Sequence, residues 1–158
     1  MADIITASGT QVYIGAIAST TIDSIEEFEA ISGWAEIGLI ESVGEFGDSA
    51  QEVTFEEVGA GRVRKLKGSR NAGQMQLTVA HDPTDAGQAA VEAAEQTSDS
   101  YAFKVVIPDG PAGYSDTIQY FRGKVMSRPM NIGNNNNVVR KTYNVAIDSA
   151  IYENPAST

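Results

Sequence analysis

The chain has 158 residues, 42% of them hydrophobic, with 11 lysines and arginines against 21 aspartates and glutamates and no cysteine. That length suits a single domain spanning residues 1–158; the lack of cysteine excludes a disulfide framework and cysteine-based zinc sites or nucleophiles. No run approaches the roughly 20 apolar residues a membrane span needs, and a formal net charge of -10 argues against wrapping the phosphate backbone of nucleic acid while allowing a surface past which DNA slides.

Residues 1–10 read as a flexible polar arm without the basic start and apolar centre of a signal peptide, so export by the general route is not expected. A short strand follows at Gln11–Ile17. In residues 19–32 the acidic Glu26, Glu27 and Glu29 accompany Ile22, Ile25, Phe28 and Ile31 at spacings of three. Two readings fit: one or two turns of amphipathic helix, or a surface connection pinned by Phe28. Trp34, the only tryptophan, precedes a strand predicted over residues 36–43.

Residues 44–73 are the least ordinary stretch. They carry six glycines and segregated charge: Glu45, Asp48, Glu52, Glu56 and Glu57 come first, then Arg62, Arg64, Lys65, Lys67 and Arg70. Val53 and Phe55 alternate with polar residues, and Val63 and Leu66 do so less cleanly. A hairpin turning at Gly59-Ala60-Gly61 is therefore expected, its acidic arm paired with its basic arm. It is either an exposed ribbon held by cross-strand charge pairs or an arm that orders against a neighbouring copy, since an isolated two-stranded hairpin is marginal in water.

The segment of residues 74–109 reads strand, helix, strand. Met75, Leu77 and Val79 alternate with Gln76, Thr78 and Ala80, and Phe103, Val105 and Ile107 repeat the period of two. Between them, Asp82 is a candidate helix N-cap, Pro83 sits where a missing N–H costs nothing, and Asp85 places a carboxylate in the first turn. Ala86, Ala89, Ala90, Ala93 and Ala94 form a small-residue face that predicts close packing on a sheet.

Pro108 to Gly113 is a turn by composition. A strand is predicted over residues 116–126, with Ile118 and Tyr120 on one face and Phe121, Gly123 and Val125 on the other. Apolar groups on both faces place it mid-sheet or at an interface. The run Asn134 to Asn137 suits a hairpin tip, a last strand covers residues 138–147, and residues 152–158 form a polar tail. Seven or eight strands and one good helix give a mainly β fold, a sandwich or small barrel with a flanking helix.

Catalytic chemistry is not expected. His81 is the only histidine, which excludes a two-histidine metal site, and its position suits a strand end before a helix cap. Gly59-Ala60-Gly61 lacks the setting of a dinucleotide loop, and no phosphate-loop lysine motif occurs. The spacings of Asp82 with Asp85 and of Asp109 with Asp116 do not match a calcium loop. No catalytic, cofactor or metal site is assigned.

The order GWAEIGLIESVGEF, QMQLTVAHDPTDAGQAAVEAA, YAFKVVIPDG, IQYFRGKVMS and VVRKTYNVAID resembles the major tail tube proteins of lambda-like long-tailed (siphovirus) bacteriophages, over residues 34–151. The resemblance implies a structural virion protein, not an enzyme. It implies a β-sandwich flanked by a helix, six copies of which join edge to edge into a ring, with rings stacked into a hollow tube that conducts DNA. It implies a virion location after assembly in the bacterial cytoplasm, with tape-measure, tail-tip and tail-terminator proteins as partners and no membrane. A carboxylate-lined lumen would keep passing phosphates from sticking. Residues 44–73 would be the inter-ring arm, with Glu52, Glu56, Glu57, Arg62, Arg64 and Lys65 making charge pairs across rings and Val53 and Phe55 supplying buried area. The alternatives are a tube protein of a contractile tail, a type VI secretion tube or a gene-transfer particle. A monomeric β-sandwich that binds carbohydrate or acts as an enzyme is the third.

Overall fold

A computed structural model describes residues 4–18, 22, 24–59, 61–110 and 115–156. Parts of the expected arm, of the segment 19–32, of the turns at Ala60 and at Pro111 to Gly113, and of the tail lie outside these residues.

The period-2 segments become strands close to their expected bounds: β1 (Gln11–Ile17), β6 (Gln74–Ala80), β7 (Tyr101–Ile107), β8 (Thr117–Ser127) and β10 (Arg140–Ile147). Between β1 and β6 lie α1 (Ile25–Glu29), β2 (Ala35–Glu36), β3 (Ile40–Val43), β4 (Ser49–Glu57) and β5 (Arg62–Asn71). The helix α2 (Ala86–Glu95), the short β9 (Met130–Asn131) and β11 (Tyr152–Asn154) complete the order. One antiparallel sheet runs β2-β1-β7-β8-β10-β6-β3, with β9 on β10 and β11 on β8, and β4-β5 forms a separate ribbon.

The main sheet encloses its core on one face. Val12 and Ile14 from β1, Phe103 and Val105 from β7, Phe121 and Val125 from β8, Tyr143 and Val145 from β10, and Met75, Leu77 and Val79 from β6 belong to one buried cluster. Strands near opposite ends of the sheet thus meet in one apolar interior. On the other face a second cluster of Ala18, Phe28, Ala102 and Tyr120 lies under α1, Trp34 and Tyr152. Strand β8 feeds both clusters, Phe121 into the first and Tyr120 into the second, as apolar groups on both its faces predict.

In the segment 19–32 both readings meet in one turn of helix. Ser24 caps α1 by accepting from the Glu27 N–H, and Phe28 is fully buried against Tyr120 and Tyr152, ring centroids 5.7 and 5.5 Å apart.

Four expectations are corrected. Helix α2 is capped by Asp85, whose side chain accepts from the Gln88 N–H, and not by Asp82, which binds the Thr84 N–H and hydroxyl in the preceding turn. Its buried side is Gly87, Gln88, Val91 and Ala94, whereas Ala86, Ala89 and Ala93 face solvent. The cause is a close approach: a Cβ on Gly87 would stand 2.0 Å from the Glu36 carbonyl oxygen, so this turn rests directly on backbone. The strand predicted over residues 36–43 is split at Leu39, which adopts φ 54. There Gly38 N–H donates to Asp85, and the buried Gln88 amide donates to the carbonyls of Gly38 and Ala80 while accepting from Asp82 N–H. Finally, the polar tail contains a strand, because Tyr152 pairs with Tyr120 in register and carries a ring into the second cluster.

Candidate functional site

The residues singled out between 44 and 73 come together in the β4–β5 ribbon. Its register sets Glu52 opposite Lys67, Val53 opposite Leu66, Thr54 opposite Lys65, Phe55 opposite Arg64, Glu56 opposite Val63 and Glu57 opposite Arg62. Ten residues of β5 extend it about 30 Å at the usual rise per residue. Gly61, at φ 60, supplies the left-handed backbone the turn needs.

Because directly paired residues share a face and successive residues alternate, the ribbon has two different sides. Val53, Leu66, Phe55, Arg64, Glu57 and Arg62 lie on one; Glu52, Lys67, Thr54, Lys65, Glu56 and Val63 on the other. The ion pairs obey this division. Arg64 Nε lies 3.2 Å from Glu57 Oε2 on the first face, and Lys65 Nζ 3.5 Å from Glu52 Oε1 on the second. Arg70 and Asp48, 3.5 Å apart, close the base of the ribbon. The acidic arm thus pairs with the basic arm, as the charge segregation predicts. Arg62 and Lys67 make no ion pair among the described residues.

Exposure is the decisive property. Every residue of β4 except Glu57, and every residue of β5 except Gly68, is exposed. Val53, Phe55 and Leu66 form a contiguous apolar stripe that is 48%, 59% and 60% exposed. Solvent-screened ion pairs contribute at most about 1 kcal/mol each, which does not by itself stabilise a long two-stranded ribbon. The stripe therefore leaves apolar area uncovered in the subunit.

No cluster of three or more metal-ligating side chains occurs among the described residues. His81 is exposed, and its backbone N–H donates to the Val139 carbonyl where β6 ends. Hydrogen bonds from the Thr117 hydroxyl and N–H lower the pKa of Asp109 from its ordinary value, and those of Thr84 do the same for Asp82. Both serve turns. The sequence reading missed the sheet edges, where β2 and the end of β1 close one side and β3 the other. An interrupted strand at Leu39 carried no period-2 signal that could have revealed them.

Three comparisons bear on this arrangement. The description "Phage tail tube protein, TTP" belongs to the family profile that matches residues 4–150. No curated protein matches the chain in sequence. Among solved structures, the SPP1 tail tube superposes with a TM-score of 0.67 at 16% identity, over 96% of this chain and 80% of that one. A sheath/tube terminator of the extracellular contractile injection system PVC gives 0.69 at 12% identity, over 97% and 98%. A chain of the native gene transfer agent virion gives 0.59 at 18% identity, over 77% and 88%.

Proposed function

The chain belongs to the phage tail tube protein family, and from that premise we propose that copies of it join into six-membered rings that stack as the hollow tail tube through which DNA leaves the virion. The observation that carries the reading is the β4–β5 ribbon. An exposed ribbon with an apolar stripe and internal ion pairs is a poor monomer surface and a good arm for the next ring. On stacking, Val53, Phe55 and Leu66 lose solvent, while Glu52, Glu56, Glu57, Arg62, Arg64 and Lys65 exchange or extend their ion pairs across the joint. Within a ring, the open edges at β2 and β3 pair with neighbouring copies, which turns an aggregation hazard into a closed interface.

The same reading places tape-measure protein inside the tube and tail-tip and tail-terminator proteins at its ends. It places the subunit in the bacterial cytoplasm before assembly and assigns it no catalytic step. A tube that works inside a contractile sheath is the second reading, supported by the shared fold of the contractile injection particle.

Electron microscopy and sedimentation of the purified chain at high concentration test this. Six-membered rings or hollow tubes with a bore wide enough for duplex DNA are expected. A monomer that stays unassembled both alone and with preformed tube ends would overturn the reading.

A further inference from the structure

The two faces of the main sheet are covered unequally. One face is the closed interior described above. The other is covered over β1, β7 and β8 by α1, Trp34 and Tyr152, while over β6 and β10 it belongs to neither apolar cluster, with Gln74 and Gln76 exposed and Thr78, Thr142 and Asn144 half-buried. The strand register identifies what that area displays. Ser42, Thr78 and Thr142 stand side by side across β3, β6 and β10, and Gln76, Asn144 and Ser127 across β6, β10 and β8. Asn144 Nδ2 donates to the Ser127 hydroxyl at 2.5 Å, which ties the second row together.

These two rows contain hydroxyls and carboxamides and no charge. Yet the chain carries 21 acidic and 11 basic residues. The adjoining charges are set to the margins: Arg140 is paired with Glu41 beyond one row, and Lys124 donates to the Ser98 carbonyl beyond the other. A face turned to open solvent gains solubility from charge and has no reason to exclude it. Confinement supplies a reason. Ring symmetry repeats every residue around the bore, so a single carboxylate becomes a closed band of like charges, and a single lysine a band of phosphate-binding sites. Neutral amides and hydroxyls keep their hydration and offer DNA phosphates no counterion-release binding.

We infer that this β6–β10 face, centred on Gln76, Thr78 and Thr142, lines the lumen of the tube and that passing duplex DNA meets an uncharged, hydrated wall there in place of the carboxylates that the acidic balance suggests. This inference rests on the tube reading.

The chain has no cysteine, so Gln76→Cys introduces a single thiol at an exposed position. Tubes of this variant are treated with a small maleimide and with a maleimide carried on a globular protein, before and after disassembly. The lumen assignment expects the small reagent to label both states and the bulky one to label only disassembled subunits. Labelling of intact tubes by the bulky reagent would put the face outside and overturn it. Protection of intact tubes from both reagents would put the face in a subunit joint and overturn it equally. A variant that forms no tubes where the parent does also places the face in a joint. Failure of the parent chain itself to form tubes would instead remove the premise. As a second readout, tubes carrying Gln76→Lys and Thr78→Lys are expected to retain duplex DNA at about 50 mM salt and to release most of it by about 200 mM. Parent tubes are expected to retain none, and equal retention by both would contradict the neutral-wall account.

Discussion

Lys141 Nζ lies 2.8 Å from Glu92 Oε1, and this ion pair fastens α2 to strand β10. The lysine is almost completely buried, at 1% exposure, while Arg128 supports the same carboxylate from 3.7 Å and reaches Glu95 at 3.3 Å. Glu92→Ala strands a buried ammonium, so a loss of about 2–4 kcal/mol is expected by urea denaturation, scaled down because Glu92 itself is partly exposed. Lys141→Met removes the charge with its burial and leaves Glu92 to Arg128. It is expected to cost less than half as much. Burial is the largest single influence and disfavours the ammonium, but the interactions with Glu92 and Tyr143 together outweigh it and hold the lysine pKa above its ordinary value. The pair's contribution is therefore full below the unfolded value of about 10.4 and disappears as pH rises through the folded one.

Gly87→Ala tests the contact between helix and backbone. Alanine gains about 1 kcal/mol in helix propensity over glycine. Here its Cβ would meet the Glu36 carbonyl oxygen at 2.0 Å, and that backbone cannot rotate away as a side chain would. Overpacking wins, and a net loss of about 1–3 kcal/mol is expected in thermal or urea unfolding.

Arg62→Glu with Arg64→Glu reverses the basic end of the ribbon. The Arg64–Glu57 pair is exposed, so subunit stability should change by less than about 1 kcal/mol. Tube growth, followed by sedimentation and microscopy, is expected to stop. Normal tubes from a folded variant would remove the ribbon from the joint between rings.

Phe55→Ala probes the apolar stripe without touching charge. Phe55 keeps 59% of its surface exposed in the subunit. If stacking covers that surface, its loss costs about 1–2 kcal/mol per joint. The protein concentration needed for tube growth should then rise about five- to thirtyfold in sedimentation assays, and an unchanged threshold would show that Phe55 stays in solvent.

Asp109 and Asp82 predict the acid limb of stability. Hydrogen bonds from Thr117 and Thr84 depress both carboxyls below their ordinary values. A depressed acid contributes stability that is present above its unfolded pKa, about 3.9, and lost as pH falls through the folded value. Asp109→Asn with Asp82→Asn should flatten the fall in melting temperature below about pH 4. An unaltered acid limb would assign that fall to other carboxylates.

Much of this protein is determined by sequence pattern alone. Period-2 alternation placed β6 and β7, because a one-residue slip would turn Met75, Leu77 and Val79 out of the core. Segregated charge predicted the ribbon and the pairing of its arms, because that signal is local and antiparallel register follows from the turn. Other features depended on neighbours far along the chain. Asp82 and Asp85 are both good caps by type, and the choice fell to Asp85 because it also receives Gly38 N–H from 47 residues away. The alanine face of α2 is continuous in sequence, yet Gly87 faces the sheet because only a residue without a Cβ fits over Glu36. Tyr152 reads as tail until Phe28 and Tyr120 provide its pocket. The neutral rows on β6 and β10 were equally out of reach, since Ser42, Thr78 and Thr142 become neighbours only when strands from three parts of the chain hydrogen-bond in register. Periodicity reports which way a side chain points, and tertiary structure alone decides what it meets there.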